Sequence, residues 1–246
     1  MSGHSKWHSI KHKKGAADAK RGKIFTKLGH EIALAARDGD DATTNFRLRL
    51  AIQKAKQANM PMANIERSIA RGAGTGDGAQ LEELTYEGYG PAGVAVMVQA
   101  LTDNRNRTAA DVKAAFSKHG GTLGSQGSVA YMFDQKGVIY CKSNADTDEV
   151  SLAAIEAGAD DIDDSGEQVV VYVQPANLEA AKAAIGEDNI ENSDIEKIPS
   201  QTVLLEDEQK VRTLTRLIDA LEDLDDVANV TANFDIPEEI LERVSA

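Results

Sequence analysis

The first 21 residues hold a cluster of cations with one tryptophan among them, called here the basic arm. Each lysine or arginine that meets a phosphate releases condensed counterions, so such a segment binds nucleic acid in a salt-sensitive, sequence-independent way. A tryptophan ring can also stack on an unpaired base, a contact worth about 1–3 kcal/mol. The pattern predicts binding to a polyanion, and a solvated tail without a partner is the alternative. The candidate contacts are Lys6, Trp7, His8, Lys11, His12, Lys13, Lys14, Lys20 and Arg21.

Cations continue into the three helices that the pattern predicts next. Residues spaced three, four or seven apart lie on the same face of a helix, away from its apolar stripe. A solvated face is the alternative for any one of these stripes, but three stripes beside the arm favour a basic surface. The stripes comprise Lys20, Lys23 and Lys27 on the first helix, Arg49 and Lys56 on the second, and Arg67 and Arg71 on the third.

Two arginines stand apart in the acidic part of the chain. Arg105 and Arg107 lie in the polar run Thr102–Thr108, among amide side chains. Arginine forks suit the recognition of phosphate or carboxylate groups. The alternative is a loop that leads into a helix, with Asp or Asn as its cap. We include both arginines among the candidate nucleic-acid contacts.

Patterns for metal sites and catalysis are weak. His4, His8 and His12 recur every four residues, but no Cys, Asp or Glu lies among them to complete a metal site. The acidic run 161–166 imitates a calcium loop, yet its twelfth position is Tyr172 rather than a bidentate glutamate. Cys141 is predicted to be a core thiol. We therefore expect no catalytic residue, no metal and no cofactor, which predicts a protein that is not an enzyme.

The glycine-rich segment 72–78 has a functional alternative, a loop that cradles a phosphate. Its glycines do not fit the G-x-G-x-x-G spacing, and no Gly-Lys-Ser/Thr follows them. A flexible linker is the better interpretation, since glycine runs between patterned segments are usually loops.

The net charge is divided sharply along the chain. Residues 1–80 hold 15 basic and 7 acidic residues, whereas residues 81–246 hold 12 and 33, so the net charges are +8 and −21. One end is therefore suited to meet a polyanion, and the rest is repelled by it. The partner we expect is DNA, ribosomal RNA or tRNA, with the acidic domains contacting the ribosome or the transcription machinery.

The elements that position these residues form an α+β multidomain fold. We predict a mobile arm over 1–21, a three-helix domain over 22–72 and a linker over 73–80. An α/β domain follows over 81–134 and 203–246, interrupted by an inserted ferredoxin-like domain over 135–202, because residues 137–198 can be parsed as β-α-β-β-α-β. The first helix is predicted from Gly22, the second from Thr44 as its N-cap, and the third from Pro61 to Gly72 as its C′ residue. Two separate strands are predicted at 129–133 and 137–142.

The bulk composition restricts the compartment and the class of protein. A single cysteine excludes an internal disulfide and fits a reducing compartment. Residues 1–20 lack the apolar core of a secretory signal, and no apolar stretch approaches the roughly 18 residues of a membrane span. We expect a cytoplasmic monomer that does not contact membranes.

Four segments together resemble the YebC family. They are Gly3–Trp7, Ile10–Lys14, the Tyr-Gly-Pro-x-Gly-Val turn at 89–94 and the Thr-Asp-Asn-Arg-Asn-Arg-Thr run at 102–108. The resemblance spans essentially the whole chain, and that family also includes a mitochondrial translational activator of cytochrome c oxidase. Ala92 departs from the family, which often has glycine there.

The resemblance implies three domains, the third inserted into the second, and no enzymatic activity. The family is commonly labelled as DNA-binding transcriptional regulators. Its mitochondrial members point instead to translation on the ribosome, with help for peptide-bond formation on stretches such as consecutive prolines. We therefore expect a nucleic-acid-binding regulator of gene expression, with a ribosome-associated translation factor as the alternative.

Overall fold

The computed structural model describes residues 18–75, 81–164 and 168–245, without the side chains of 18–23, 238, 242 and 245. The described residues form an α+β fold, which confirms the predicted class. They pack into two compact units, one comprising residues 18–131 and 205–232 and the other 132–204 and 233–245. The domain boundaries proposed from the sequence stay predictions.

Three helices open the first unit: α1 Asp18–Ala35, α2 Phe46–Gln57 and α3 Met62–Gly72. Their shared core includes Leu28, Ile32, Leu48 and Ile65. Helix α1 begins before the predicted Gly22. The N-cap of α2 is Asn45 rather than the predicted Thr44, because the Asn45 side chain accepts from Leu48 N at 3.0 Å. Its amide also donates to Ala35 O and Gly39 O, which a threonine could not do.

Gly72 has a different role from the predicted one. Helix α3 ends at Gly72 itself, and Ala73 is its C-cap. A Cβ atom on Gly72 would lie 2.0 Å from Ala33 O. Glycine is required there because α1 and α3 approach too closely for any side chain.

The first sheet lies in the same unit as these helices. Its strands are β1 Glu82–Tyr89, β2 Ala95–Thr102, β3 Thr122–Leu123 and β9 Val227–Ala232, in the antiparallel order β3-β1-β2-β9. Helices α4 Arg105–Lys118 and α7 Glu208–Glu222 pack against each other and bury Phe116, Leu214 and Leu217.

The second unit contains the predicted ferredoxin-like arrangement. Strands β4 Phe133–Cys141, β5 Asp161–Asp163, β6 Val170–Val173 and β7 Ile190–Pro199 form an antiparallel sheet in the order β5-β6-β4-β7. Helices α5 Thr147–Glu156 and α6 Leu178–Ile185 complete the β-α-β-β-α-β order. The short strands β8 Val203–Leu204 and β10 Phe234–Asp235 pair in parallel, and α8 Glu238–Ser245 follows.

The strand predicted at 129–133 is wrong. Residues Ala130–Met132 form a 3-10 turn, and β4 is one continuous strand from Phe133. The reason is the Glu87 carboxylate, which accepts from Val129 N and Ala130 N at 2.7 and 2.8 Å. These N–H groups are therefore not available to a neighbouring strand.

Among the helices described, none combines the length and the apolar character that crossing a bilayer requires.

Candidate nucleic-acid interface

Part of the predicted interface lies outside the described residues. This applies to Lys6, Trp7, His8, Lys11, His12, Lys13 and Lys14. The backbone of α1 includes Lys20, Arg21 and Lys23, but their side chains also lie outside the described part. The helices carry the remaining candidates.

Helix α2 presents its cations without any acid in its own sequence. It contains Arg47, Arg49, Lys54 and Lys56 and no Asp or Glu. Lys54 pairs with Glu31 at 3.1 Å, and Arg47 lies 3.8 Å from Glu83. Lys56 is exposed and makes no ion pair with any residue that the structure describes. Its ammonium group is available to a phosphate.

Arg49 is exposed but held in place. Its Nη1 donates to Ala42 O at 3.3 Å and to Thr43 O at 3.2 Å. The guanidinium carbon lies 5.6 Å from the centre of the Phe46 ring, within the range of a cation–π contact. The charge of Arg49 is therefore oriented before any ligand arrives, which reduces the ordering cost of binding.

Helix α3 places its two candidate arginines in different environments. Arg67 is exposed. Arg71 is half-buried, and its Nη2 lies 3.9 Å from Asp103 Oδ2. Of the two, Arg67 is the one presented to solvent.

Lys27 of α1 is engaged inside the fold. Its Nζ donates to Glu222 O at the end of α7. A cation is favourable there because the carbonyls of the last helical turn carry partial negative charge. Lys27 therefore joins α1 to α7.

Arg107 is also bound to an internal carboxylate, that of Asp226. Arg107 Nη2 donates to Asp226 Oδ2 and Oδ1 at 2.8 and 3.0 Å, and Nε donates to Oδ2 at 3.2 Å. The same carboxylate accepts from Thr108 Oγ1 at 2.7 Å and from Thr102 Oγ1 at 3.1 Å. Asn104 caps α4 by accepting from Arg107 N. We call Thr102, Arg107, Thr108 and Asp226 the Asp226 network.

The Asp226 carboxylate stays ionised within this network. Burial would raise the pKa of Asp226, but the hydrogen bonds from Arg107 and Thr108 outweigh it and hold that pKa below its usual value. His30 of α1 lies close to this network, and burial together with the charge of Arg71 lowers the pKa of His30 despite the nearby carboxylates. The network is therefore ionised at neutral pH beside a neutral histidine.

Arg105 differs from Arg107 because it points into solvent. Its side chain is 68% exposed, and its Nε lies 3.4 Å from Glu82 Oε2. It lines an open groove of about 720 Å³ that also includes Glu83, Tyr86, Asn106 and Gln126. Glu82, beside Arg105, and Glu83, in the groove, weaken the attraction of this region for a phosphate.

Sequence patterns did not indicate the role of Glu87. It is 4% exposed, yet its carboxylate accepts three backbone hydrogen bonds, from Gly127, Val129 and Ala130, at 2.7–2.8 Å. Burial alone would raise the pKa of Glu87, but these three donors lower it. Tyr89, which is 36% exposed, donates from its hydroxyl to Ser128 O. Glu87 thus organises the loop 124–130 around one buried negative charge.

The described residues contain no cluster of three or more His, Cys, Asp or Glu side chains arranged to hold a metal ion. Cys141 is fully buried, and burial raises the pKa of its thiol to about 11. Only a small fraction of this thiol is deprotonated to the thiolate at neutral pH. The geometry supports binding chemistry at exposed cations, chiefly Arg49, Lys56 and Arg67.

Comparison with known proteins covers nearly the whole chain. Residues 5–75 match the family described as "TACO1/YebC protein N-terminal domain", and residues 81–234 match "TACO1/YebC second and third domain". A protein of Syntrophotalea carbinolica is 51% identical over 247 residues, 99% of both chains. One of Syntrophobacter fumaroxidans is 51% identical over 249 residues, 100% of both. Each bears the name "Probable transcriptional regulatory protein".

A solved structure has the same fold. The crystal structure of a conserved hypothetical protein, Aq1575, from Aquifex aeolicus aligns with a TM-score of 0.86 at 49% sequence identity. The alignment covers 94% of this chain and 97% of that one.

Proposed function

Because the chain belongs to the TACO1/YebC family, we propose that it is a nucleic-acid-binding regulator of gene expression that binds phosphates through its N-terminal region and has no enzymatic activity. Its curated relatives carry the name of a transcriptional regulatory protein, which favours DNA as the ligand. Residues 1–72 form the binding region in this proposal, and the acidic remainder positions the molecule or contacts a protein.

The observation that carries the proposal is the acid-free helix α2 with exposed, oriented cations. Lys56 is available to a ligand, and Arg49 is fixed by two carbonyls and an aromatic ring. Phosphate contacts of this kind set affinity and register without reading base sequence. The basic arm extends the same chemistry beyond α2.

A translation factor on the ribosome is the second candidate. A cationic arm that contains one tryptophan suits folded RNA, where unpaired bases are available for stacking. In this form of the proposal the arm binds ribosomal RNA or tRNA and assists peptide-bond formation on difficult, proline-rich stretches. Both candidates use the same cations, so the identity of the nucleic acid separates them.

Charge reversal tests the binding surface. The variant Lys56→Glu/Arg67→Glu should weaken binding to a nucleic acid duplex by tenfold or more at 100 mM salt. The slope of log K against log salt should fall by about 2 in magnitude, because each lost phosphate contact contributes about 0.9. The matched control Lys113→Glu/Lys118→Glu changes the net charge equally on exposed positions of α4. Equal losses in the two variants would mean that only net charge matters, and α2 and α3 would not be the interface.

Cross-linking in cells, followed by sequencing of the attached nucleic acid, separates the two candidates. Recovery of promoter DNA supports the transcriptional regulator, and recovery of ribosomal RNA or tRNA supports the translation factor. A chain that sediments with ribosomal subunits should lose this property when residues 1–21 are deleted. Recovery of neither nucleic acid contradicts both candidates.

A further inference from the structure

Strand β1 is paired along only part of its outer edge. On the inner side, β2 pairs with the whole strand, Glu82–Tyr89. On the outer side, β3 pairs only with Gly88 and Tyr89. Among the residues that the structure describes, no strand lies beside the outer edge of β1 over residues 82–86.

Two hydrogen bonds determine which backbone groups point to this outer edge. Gly90 N donates to Val94 O at 2.8 Å between β1 and β2, and hydrogen-bonded pairs in an antiparallel ladder recur at every second residue. The even-numbered residues of β1 therefore bond to β2. On the outer side, Glu87 O accepts a bond at 2.7 Å from the residue that follows β3. The N–H and C=O groups of Glu83 and Thr85 consequently point outward, and no described residue bonds to them. We call these four groups the open edge.

The open edge borders the groove that Arg105 lines. Even-numbered side chains of β1 point towards α4, because a Cβ atom on Gly88 would lie 2.8 Å from the Phe116 ring. The groove, of about 720 Å³, has a half-buried lining and an exposed polar rim. Leu84, Tyr86 and Ala109 form the lining, and Glu83, Thr85, Arg105, Asn106 and Gln126 form the rim. A groove between an edge strand and a helix suits an extended peptide that adds a strand to the sheet.

Backbone chemistry and charge favour a polypeptide over a nucleic acid at this place. A peptide backbone offers both a donor and an acceptor at each residue, which the open edge requires, whereas phosphates only accept. Glu82 and Glu83 lie beside the open edge, and residues 81–246 carry a net charge of −21, so a phosphate backbone is repelled. A second copy of the chain is repelled as well, because each copy carries a net charge of −13. A basic segment of another protein is attracted.

The side chains of β1 determine which segment fits. Residues directly opposite each other in an antiparallel pair lie on the same face, and opposite charges or β-branched pairs stabilise it. The Glu83 carboxylate is only loosely paired with Arg47, at 3.8 Å, so lysine or arginine should lie opposite Glu83. A threonine or valine should lie opposite Thr85. The residue between them lies opposite Leu84, points into the groove and should be apolar. From the N-terminus, the expected pattern is Thr/Val–apolar–Lys/Arg.

We propose that the open edge binds an extended, basic segment of a partner protein, antiparallel to β1 and with this pattern. The inference rests on the part of the proposed function in which the acidic remainder contacts a protein. Backbone hydrogen bonds at Glu83 and Thr85 supply the affinity, and the groove and the Glu83 carboxylate supply the selectivity.

A peptide titration of the full-length, ¹⁵N-labelled protein tests the binding. The probe is acetyl-Gly-Ser-Thr-Val-Lys-Ser-Gly-amide. Amide signals of Leu84, Tyr86 and Arg105 should shift, and the amides of Glu83 and Thr85 should exchange with solvent at least fivefold more slowly at saturation. Absence of these changes overturns the proposal.

Two modified peptides show whether the backbone carries the contact. N-methylation of the lysine removes the N–H that donates to Glu83 O and should weaken binding at least tenfold. N-methylation of the valine is the matched control, because its N–H points away from β1, and it should leave the affinity within twofold. Equal affinities of the two peptides overturn the proposal.

Protein variants make the same comparison from the other side. Thr85→Pro removes one outward N–H and no bond to β2, and an edge strand tolerates proline at such a position. It should lose at least tenfold in peptide affinity, whereas Thr85→Val should bind as the wild type does. If Thr85→Pro does not fold, the two N-methylated peptides decide the question. Glu83→Lys should weaken binding about fivefold, whereas Glu66→Lys, an exposed control with the same change in net charge, should not.

Further outcomes separate this proposal from its competitors and from the proposed function. Slow exchange of the Glu83 and Thr85 amides in the free protein would mean that the chain itself or a second copy covers the open edge, and would overturn the proposal. Shifts of the same groove signals by a single-stranded RNA, with none by the peptide, would assign the groove to nucleic acid. Lys56→Glu/Arg67→Glu should bind the peptide normally. Peptide binding without any nucleic-acid binding supports this proposal and contradicts the nucleic-acid part of the proposed function, whereas nucleic-acid binding without peptide binding contradicts this proposal alone.

Discussion

Helix α2 and the Asp226 network use the same kinds of cation in opposite ways. On α2, Lys56 faces solvent and Arg49 is anchored only by backbone carbonyls and a ring. In the network, Arg107 is bound bidentately to a carboxylate 119 residues away in the chain. The sequence around Arg107 looks as suited to phosphate as that around Arg49. A distant acid decides whether such a cation holds the fold or is available to a ligand.

The largest effect should come from removing the shared acid. Asp226→Ala leaves Arg107, Thr102 and Thr108 without their common acceptor, and hydrogen bonds to charged groups contribute about 1.5–3 kcal/mol each. We expect a loss of about 3 kcal/mol in the free energy of unfolding, measured by urea denaturation; this is less than the sum over the three donors because the Arg107 side chain is half-exposed and can bind water instead. Asp225→Ala, its exposed neighbour, should change stability by less than about 0.5 kcal/mol. If Asp226→Ala weakened nucleic-acid binding but left stability unchanged, the contrast with α2 would be wrong.

Glu87 should give the second largest effect. Glu87→Gln puts an NH₂ group where a carboxylate oxygen accepts a backbone N–H. We therefore expect a loss of about 2 kcal/mol in the free energy of unfolding. The control Glu66→Gln, at an exposed position, should leave this free energy nearly unchanged.

The pH dependence of Glu87 has a definite sign. Its pKa in the folded protein lies below the ordinary 4.5, so its contribution is present above pH 4.5 and is lost as the pH falls through the lowered value. Urea denaturation between pH 3 and 7 should therefore show a shallower acid loss in Glu87→Gln. Parallel curves for the variant and the wild type would contradict this role.

The same contrast explains what could be predicted from the sequence. Apolar periodicity identified the three helices and the ferredoxin-like order, because that signal lies within a few residues of each element. The roles of Gly72, Glu87 and Asp226 depend on partners 39 to 124 residues away, Ala33, Val129 and Thr102 among them. No local pattern encodes such pairings. The strand at 129–133 was wrongly predicted for this reason, since a remote carboxylate binds the N–H groups of Val129 and Ala130.

A smaller effect is expected from a single cation of α2. Lys56→Ala should weaken binding to nucleic acid about fivefold, roughly 1 kcal/mol, and reduce the salt slope by about 1. Its stability should stay within about 0.5 kcal/mol of the wild type, because Lys56 makes no ion pair among the described residues. Lys113→Ala is the matched control on α4. A drop in stability without a change in binding would place Lys56 with Arg107 as a structural cation.

The smallest effect concerns the turn at Gly90–Gly93, where Ala92 has φ 62°. A left-handed conformation costs an L-residue about 1–2 kcal/mol, whereas glycine adds about 0.4–1 kcal/mol of unfolded-chain entropy. Relief of strain outweighs that entropy, so Ala92→Gly should stabilise the protein by about 0.5 kcal/mol. Ala110→Gly, on the exposed side of α4, should instead destabilise it by about 1 kcal/mol. Thermal denaturation at fixed pH measures both variants. Ala92→Gly could instead alter nucleic-acid binding and leave the melting temperature unchanged. The turn would then be a contact surface for the ligand, as α2 is, and its strained conformation would contribute to binding rather than to stability.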